Sequence, residues 1–325
     1  MGNKGWSIVF GVVMLACALS FVVAPFVGWW LPAGASSHAG EVDFLFYVIF
    51  WVTAFFFILT EALLVAFLWI YSSSPEGKRP VSESAEPVGF IKPLSGILND
   101  QHKVELAWTF IPAVILLYIA FAQVNAWANI KYESRKNAQA KDPSKSALQV
   151  GVSARQFEWR MRYPSKARFE SWIKDKAASK ADFDSFGKVP QADDIYIVNE
   201  LHMWQDHQLI VHLTTRDVIH SFNLPNFRVK QDALPGKMIP VWFQTIDSKV
   251  RKTANCRWDA EKNRYVDGIN LETGKADDAF KYDIACAELC GWGHYRMIGR
   301  VFVHENQADF LNWLEKAEKD FRKRD

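Results

Sequence analysis

Apolar residues run almost unbroken through three early stretches, 8–27, 44–71 and 106–128. The second is long enough to cross a bilayer with tilt, and the third spans one with little to spare. Trp29 and Trp30, Trp108 and Trp127 stand at the ends of these runs, where tryptophan belts meet the membrane interface. Pro112 falls in the first turns of the third run, where a proline costs a helix least. The first run has two readings. Ala33-Gly34-Ala35 ahead of Ser36 fits a signal-peptide cleavage site, whereas the length of the run, Pro25 and the paired tryptophans suit a retained helix. Lys78, Arg79, Lys92 and Lys103 lie between the second and third runs, which puts that loop in the cytoplasm. Lys4 is then also inside, and residues 36–43 and everything after Trp127 are outside.

Beyond the third run the pattern changes. Residues 131–146 are polar and charged and form a linker. Short β-type runs follow at 148–153, 195–198, 208–214, 238–244 and 300–304, separated by turn signals such as Leu234-Pro235-Gly236. Many short strands with Gly and Pro turns predict a β-sandwich or barrel. Residues 306–323 carry Phe310, Leu311, Trp313, Leu314 and Phe321 at helical spacing and predict an amphipathic C-terminal helix packed on the sandwich. The expected division is a signal peptide or extra helix over 1–35, a transmembrane hairpin over 36–130, a linker over 131–146 and a β domain over 147–325.

Composition sharpens this picture. Half of the 325 residues are hydrophobic, yet mean hydropathy is close to zero, because an apolar third is averaged with a polar domain. A net charge of +2 does not suggest nucleic-acid binding. Of the four cysteines, Cys17 lies in an apolar run and Cys256 stands alone, so no disulfide framework is implied.

The chemistry is concentrated in Cys286-Ala-Glu-Leu-Cys290-Gly-Trp-Gly-His294-Tyr-Arg-Met297 and, upstream, Asp217-Val-Ile-His220-Ser. Thiolate and thioether are soft ligands suited to copper, and imidazole completes the set. Two thiolates on one loop can bridge two ions, each taking one imidazole, with Met297 and a backbone carbonyl as weak outer ligands. A Cys2His2 zinc site would leave Met297 idle, and a Cys286–Cys290 disulfide would leave both histidines and Met297 unexplained.

These two segments resemble the binuclear copper (CuA) motif of cytochrome c oxidase subunit II, and the resemblance extends from about Ser36 to the end of the chain. It implies His220, Cys286, Cys290, His294 and Met297 as side-chain ligands and the Glu288 carbonyl as another. It further implies a membrane-anchored, cupredoxin-like Greek-key domain outside the bacterial inner membrane. The function implied is transfer of electrons from cytochrome c to haem in subunit I, where oxygen is reduced with proton pumping; subunit III is a further expected partner. The Glu288 carboxylate is expected to reach a magnesium or manganese ion shared with subunit I, a hard cation that suits it. No Cys-x-x-Cys-His occurs, so no covalent haem is expected. A stand-alone, membrane-anchored cupredoxin carrying electrons or copper is the alternative, and a copper-free quinol oxidase subunit is disfavoured by the intact ligand set.

Four further positions follow from the resemblance. Phe157 and Trp159, in Gln156-Phe-Glu-Trp-Arg, match the aromatic segment through which electrons enter, although the family commonly has Trp where Phe157 stands. Asp217 matches an acid that helps dock cytochrome c. Glu105, at the start of the third apolar run, matches the proton entrance; an acid near a helix N-terminus also favours the dipole, and both readings stand. Glu61 inside the second run calls for a partner-subunit hydrogen bond or a protonated carboxyl. Residues 165–191 and 249–282 look inserted relative to the family pattern, as surface excursions or partner contacts.

Overall fold

The computed structural model describes residues 3–71, 101–132, 147–175, 186, 189–246, 249, 251–259 and 261–323. Lys78, Arg79 and Lys92, most of the linker, and parts of both inserted segments lie outside the described residues. By backbone packing the chain divides into two compact units, residues 1–31 with 43–124, and residues 32–42 with 125–325.

The first unit is helical. Helix α1 runs Asn3–Val23, α2 Ala39–Tyr71 and α3 Gln101–Tyr132. Two spans are long and apolar enough to cross a membrane, Ala39–Ala66 and His102–Lys131, while the apolar part of α1, Ile8–Val23, is shorter. Aromatic contacts join α1 to α2: Phe21 stacks on Phe50 at 5.4 Å, and Trp30 meets the same ring edge-on at 5.1 Å. Leu116 and Phe121 on α3 are exposed, as expected of helices whose solvent is lipid rather than water.

The second unit is a β-sandwich. One sheet has the order β3-β2-β1-β5-β8, and the other β4-β14-β13-β6-β7. The first comprises β1 Leu148–Arg155, β2 Glu158–Tyr163, β3 Ile195–Val198, β5 Gln208–Thr215 and β8 Ile239–Gln244. The second comprises β4 Glu200–Trp204, β6 His220–Leu224, β7 Val229–Ala233, β13 Tyr282–Cys286 and β14 Ile298–His304. In sequence, two short hairpins fall between β8 and β13, β9 Arg257–Asp259 with β10 Arg264–Val266 and β11 Ile269–Asn270 with β12 Lys275–Ala276. Each sheet mixes antiparallel neighbours with one parallel pair, β1 with β5 and β14 with β4. Alternation does the sorting: Trp159, Met161 and Tyr163 of β2 point inward and are fully buried, as the two-residue period of a strand requires. They share one core with Phe222, Tyr282, Ile284 and Val301 of the facing sheet.

Both inserted segments contribute to that core, contrary to the expectation of surface excursions. Helix α4, Lys166–Lys174, starts at Ser165, whose hydroxyl accepts from the Arg168 N–H, and it buries Phe169 and Trp172. Three-residue spacing puts those rings on one helix face. The second segment buries Ala254, Cys256, Ile269 and Phe280. The C-terminal helix α5, Gln307–Arg322, is capped by Asn306 and packs Phe310, Trp313 and Leu314 inward, as its pattern predicts. Residues 33–36 are tied to the β domain as well: the Ala35 N–H donates to Asn226 O at 2.7 Å, and Ser36 Oγ to Phe227 O at 2.6 Å.

Candidate metal centre

His220 opens β6, and Cys286 closes β13. These strands are paired antiparallel, with Cys286 opposite Phe222, so the sheet register sets the imidazole beside the thiol although 66 residues separate them. After Cys286 the chain leaves the sheet, turns, and re-enters it at β14. The Cys286 N–H donates to Met297 O at 3.3 Å and closes the base of this loop. A single 3-10 turn, His294–Arg296, aims His294 and Met297 back at the cysteines.

Five donors converge there. Cys286 Sγ lies 3.8 Å from His220 Nδ1 and 3.8 Å from Cys290 Sγ. Cys290 Sγ lies 3.6 Å from His294 Nδ1 and 3.8 Å from Met297 Sδ. The Glu288 carbonyl is 3.2 Å from Cys286 Sγ. A metal–sulfur bond of about 2.3 Å exceeds half the 3.8 Å sulfur separation, so an ion fits on each side of the sulfur pair. Each cysteine sulfur has its own imidazole, His220 beside Cys286 and His294 beside Cys290. Cys286, Cys290, Met297 and His220 are all buried, and a soft thioether with two thiols suits copper above harder ions. The donor set therefore fits a binuclear copper group.

Asp217 fixes the histidine. Its Oδ1 is 2.8 Å from His220 Nε2, and its Oδ2 accepts the Gln156 N–H at 2.7 Å. A carboxylate on the far nitrogen sets the tautomer and leaves Nδ1 free to bind metal. Partial burial would raise the Asp217 carboxyl, but the Gln156 N–H, His220 and the Val218 N–H outweigh it and hold the group below its ordinary value. The two thiols are pushed apart. Burial raises Cys286, but hydrogen bonds from His220 and from the loop bring it down to about 6. Burial and the neighbouring Cys286 charge push Cys290 up to about 11. A pair that gives up one proton readily and the next reluctantly is completed by a cation, which offsets the repulsion between thiolates.

The remaining sequence-predicted residues fall in different settings. Phe157 is half-buried beside the ligand loop, while Trp159 is 0% exposed, with its ring 6.2 Å from that of His220. Glu288 is exposed. Glu105 is exposed in the second turn of α3, with His102 Nδ1 4.0 Å from its carboxylate. Glu61 is half-buried on α2.

Two residues near the donors were missed. Gln156 Nε2 donates to Cys290 O at 2.5 Å and holds the loop from outside. Trp292 is 74% exposed, meets Phe157 edge-on at 5.3 Å and lies under the Arg296 guanidinium at 4.4 Å. Its position between Cys290 and His294 was the available signal. Leu289, Tyr295 and Ile298 extend the exposed apolar surface around it.

The family model described as the cytochrome c oxidase subunit II periplasmic domain matches residues 148–254. The model of the transmembrane domain of the same subunit matches residues 24–125. The chain is 24% identical over 295 residues to the alternative cytochrome c oxidase subunit 2 of Bradyrhizobium diazoefficiens, covering 89% of this chain and 83% of that one. With cytochrome c oxidase subunit 2 of Thermostichus vulcanus it shares 26% identity over 332 residues, covering 95% and 84%. With the Neurospora crassa subunit 2 it shares 31% over 228 residues, covering 67% and 70%.

Proposed function

The chain belongs to the cytochrome c oxidase subunit II family, and from that premise we propose that it is the electron-accepting subunit of a bacterial cytochrome c oxidase, with CuA held by His220, Cys286, Cys290, His294, Met297 and the Glu288 carbonyl. The observation that carries the ligand set is the convergence of two thiols, two imidazoles and a thioether, each within 3.8 Å of a cysteine sulfur. When bound, the copper pair supplies a one-electron relay between cytochrome c and the haem of subunit I, where oxygen is reduced to water with proton pumping.

The protein's own part is to pre-set the ligands. Asp217 holds the His220 ring, Gln156 holds the Cys290 carbonyl, and the buried Met297 and Cys290 exclude water from the sulfur pair. Rigid, dry ligands reorganise little when charge arrives. Trp292 is the better candidate for the point where electrons enter, because it is exposed where Trp159 is not. Phe157 meets its ring edge-on at 5.3 Å, and the exposed Asp217 is the acid proposed to help dock cytochrome c. The Glu288 carboxylate is also the group that would face a magnesium or manganese ion shared with subunit I. Residues 1–35 read as a retained helix, since Ala35 is 0% exposed in the β-domain core. The β domain is then periplasmic and includes residues 32–42 beside 125–325, and the chain spans the inner membrane more than once.

The oxidase complex containing the full chain should show an EPR pattern of one electron shared by two copper nuclei, and Cys286→Ser should erase it. A site holding zinc and no copper overturns the reading. Trp292→Ala should slow reduction by cytochrome c at least about tenfold, about 1.4 kcal/mol in barrier, with copper retained. The wild-type rate should also fall as salt rises, because exposed charges are screened beyond about 10 Å at 0.1 M. Stopped-flow mixing measures both effects; a rate indifferent to Trp292 moves the entrance elsewhere.

A further inference from the structure

We propose that Cys256, His304 and Asp309 form a second metal site, which takes a zinc ion and clips the second inserted segment to the last strand and the C-terminal helix. One donor atom from each residue lies within 4.8 Å of the other two. Zinc–ligand bonds of about 2.0–2.3 Å place tetrahedral ligands about 3.3–3.8 Å apart, so the 2.7 Å His304–Asp309 contact must open slightly and the longer separations close for an ion to fit. Cys256 and His304 are 2% and 0% exposed.

The fold aims all three. Asn255 is laced to β14 by three hydrogen bonds, its N–H to Val303 O at 3.0 Å, its Oδ1 from the Val303 N–H at 2.8 Å and its Nδ2 to Val301 O, and Nδ2 also donates to Phe280 O. That lacing fixes Cys256 next in line. His304 ends β14, and Asp309 sits in the first turn of α5, with its N–H on the capping Asn306 at 3.0 Å. His304 Nδ1 already faces Asp309 Oδ2 at 2.7 Å. Behind it, His304 Nε2 is 3.0 Å from His202 Nδ1, and His202 Nε2 is 3.4 Å from Glu200 Oε2. A metal-bound imidazole is normally oriented through its other nitrogen by such a relay. As it stands, His304 Nδ1–H donates to the Asp309 carboxylate; zinc binding at Nδ1 requires that proton on Nε2 instead, where His202 Nδ1 accepts it.

The chemistry selects the metal. One thiolate, one imidazole and one carboxylate make a zinc-type donor set, without the second thiolate or thioether that would favour copper. Zinc uptake releases the Cys256 thiol proton. Thiolate, carboxylate and dication then sum to zero charge, which removes most of the cost of burying them. A cavity of about 550 Å³ lies nearby, with Glu200, His202 and Tyr265 on its wall; Tyr265 Oη lies 3.3 Å from Asp309 Oδ1. This site is at the opposite end of β14 from Met297, roughly 20 Å away by strand rise, so it is distinct from the copper ligands.

The test is elemental analysis of the purified oxidase complex carrying wild-type chain, Cys256→Ala or Asp309→Asn. Zinc should fall by one ion per chain in both variants, with copper unchanged. Zinc that is absent from the wild type, or equal in all three, overturns the proposal; a third copper per chain in place of zinc overturns the choice of ion. Zinc X-ray absorption on the unaltered complex decides independently of whether a variant assembles. A single sulfur neighbour is expected, and a spectrum with no sulfur rejects the site.

Discussion

Cys286 and Cys290 share one loop and differ in what reaches them, His220 and loop hydrogen bonds for the first, an already charged neighbour for the second. Because thiolates bind metal and thiols do not, copper affinity should fall as pH drops through about 6, where Cys286 takes up its proton, and should climb toward about 11 as Cys290 loses its own. A competition titration against a chelator of known affinity reads this slope, and a flat profile would contradict the thiol assignment. Cys290→Ser should abolish the two-copper spectrum, since one bridge cannot hold both ions. Met297→Leu should retain it with a shifted potential, because an axial thioether tunes rather than anchors. Asp217→Ala should weaken copper binding about 10–100-fold, as losing the group that orients a ligand histidine does. That role was hidden in the sequence: the i, i+3 spacing of Asp217 and His220 permits the contact but does not say which ring nitrogen it engages.

The ligand loop and the β1–β2 turn are fitted to each other. A Cβ on Gly293 would stand 2.4 Å from the Phe157 ring, and one on Gly291, whose φ is +131°, would stand 2.8 Å from Gln156 Nε2. Gly293→Ala should therefore destabilise the domain by about 1–3 kcal/mol, the usual cost of overpacking. Phe157→Ala in the same chain should relieve most of that cost, since it removes the obstructing ring. Thermal unfolding of both single variants and the double variant tests the coupling, and strict additivity would count against the contact. Elements were legible unevenly. The strands expected at 195–198 and 208–214 appear as Ile195–Val198 and Gln208–Thr215, and the C-terminal helix falls within a residue of its expected ends. β6, β7 and β13 were not identified, because His220-Ser-Phe-Asn-Leu and Tyr282-Asp-Ile-Ala-Cys are short, and polar residues interrupt them. Their identity comes from pairing with each other, β13 on β6 and β6 on β7. The ligands within residues 286–297 could be read because they are local in sequence. The grouping of Cys256, His304 and Asp309 could not, since it depends on Asn255 docking onto β14.

At the scale of the molecule, hydropathy alone identified the two spanning helices and the polar domain behind them. It left α1 undecided, because Ala33-Gly34-Ala35 fits a cleavage site while the length of the apolar run suits a retained helix; the apolar part of α1, Ile8–Val23, is shorter than the two spans. Glu105 lies near the start of α3, whereas every copper ligand lies beyond residue 219. Glu105→Ala should slow steady-state turnover several-fold while reduction of copper by cytochrome c keeps its wild-type rate, if protons enter at this carboxylate. Because α3 begins at Gln101, Glu105 lies beyond the capping turn, and lower yield with unchanged turnover would assign it a structural role within α3 instead. The register that seats Cys286 opposite Phe222 also imposes an order on biogenesis. Until His294 has been synthesised and translocated, the nascent chain offers a metal only one of the two proposed imidazoles, the His220 ring, and part of the sulfur set. If the site holds copper, its loading would then fall late in the chain's export, since β14 and α5 are the only elements of the β domain that follow the ligand loop.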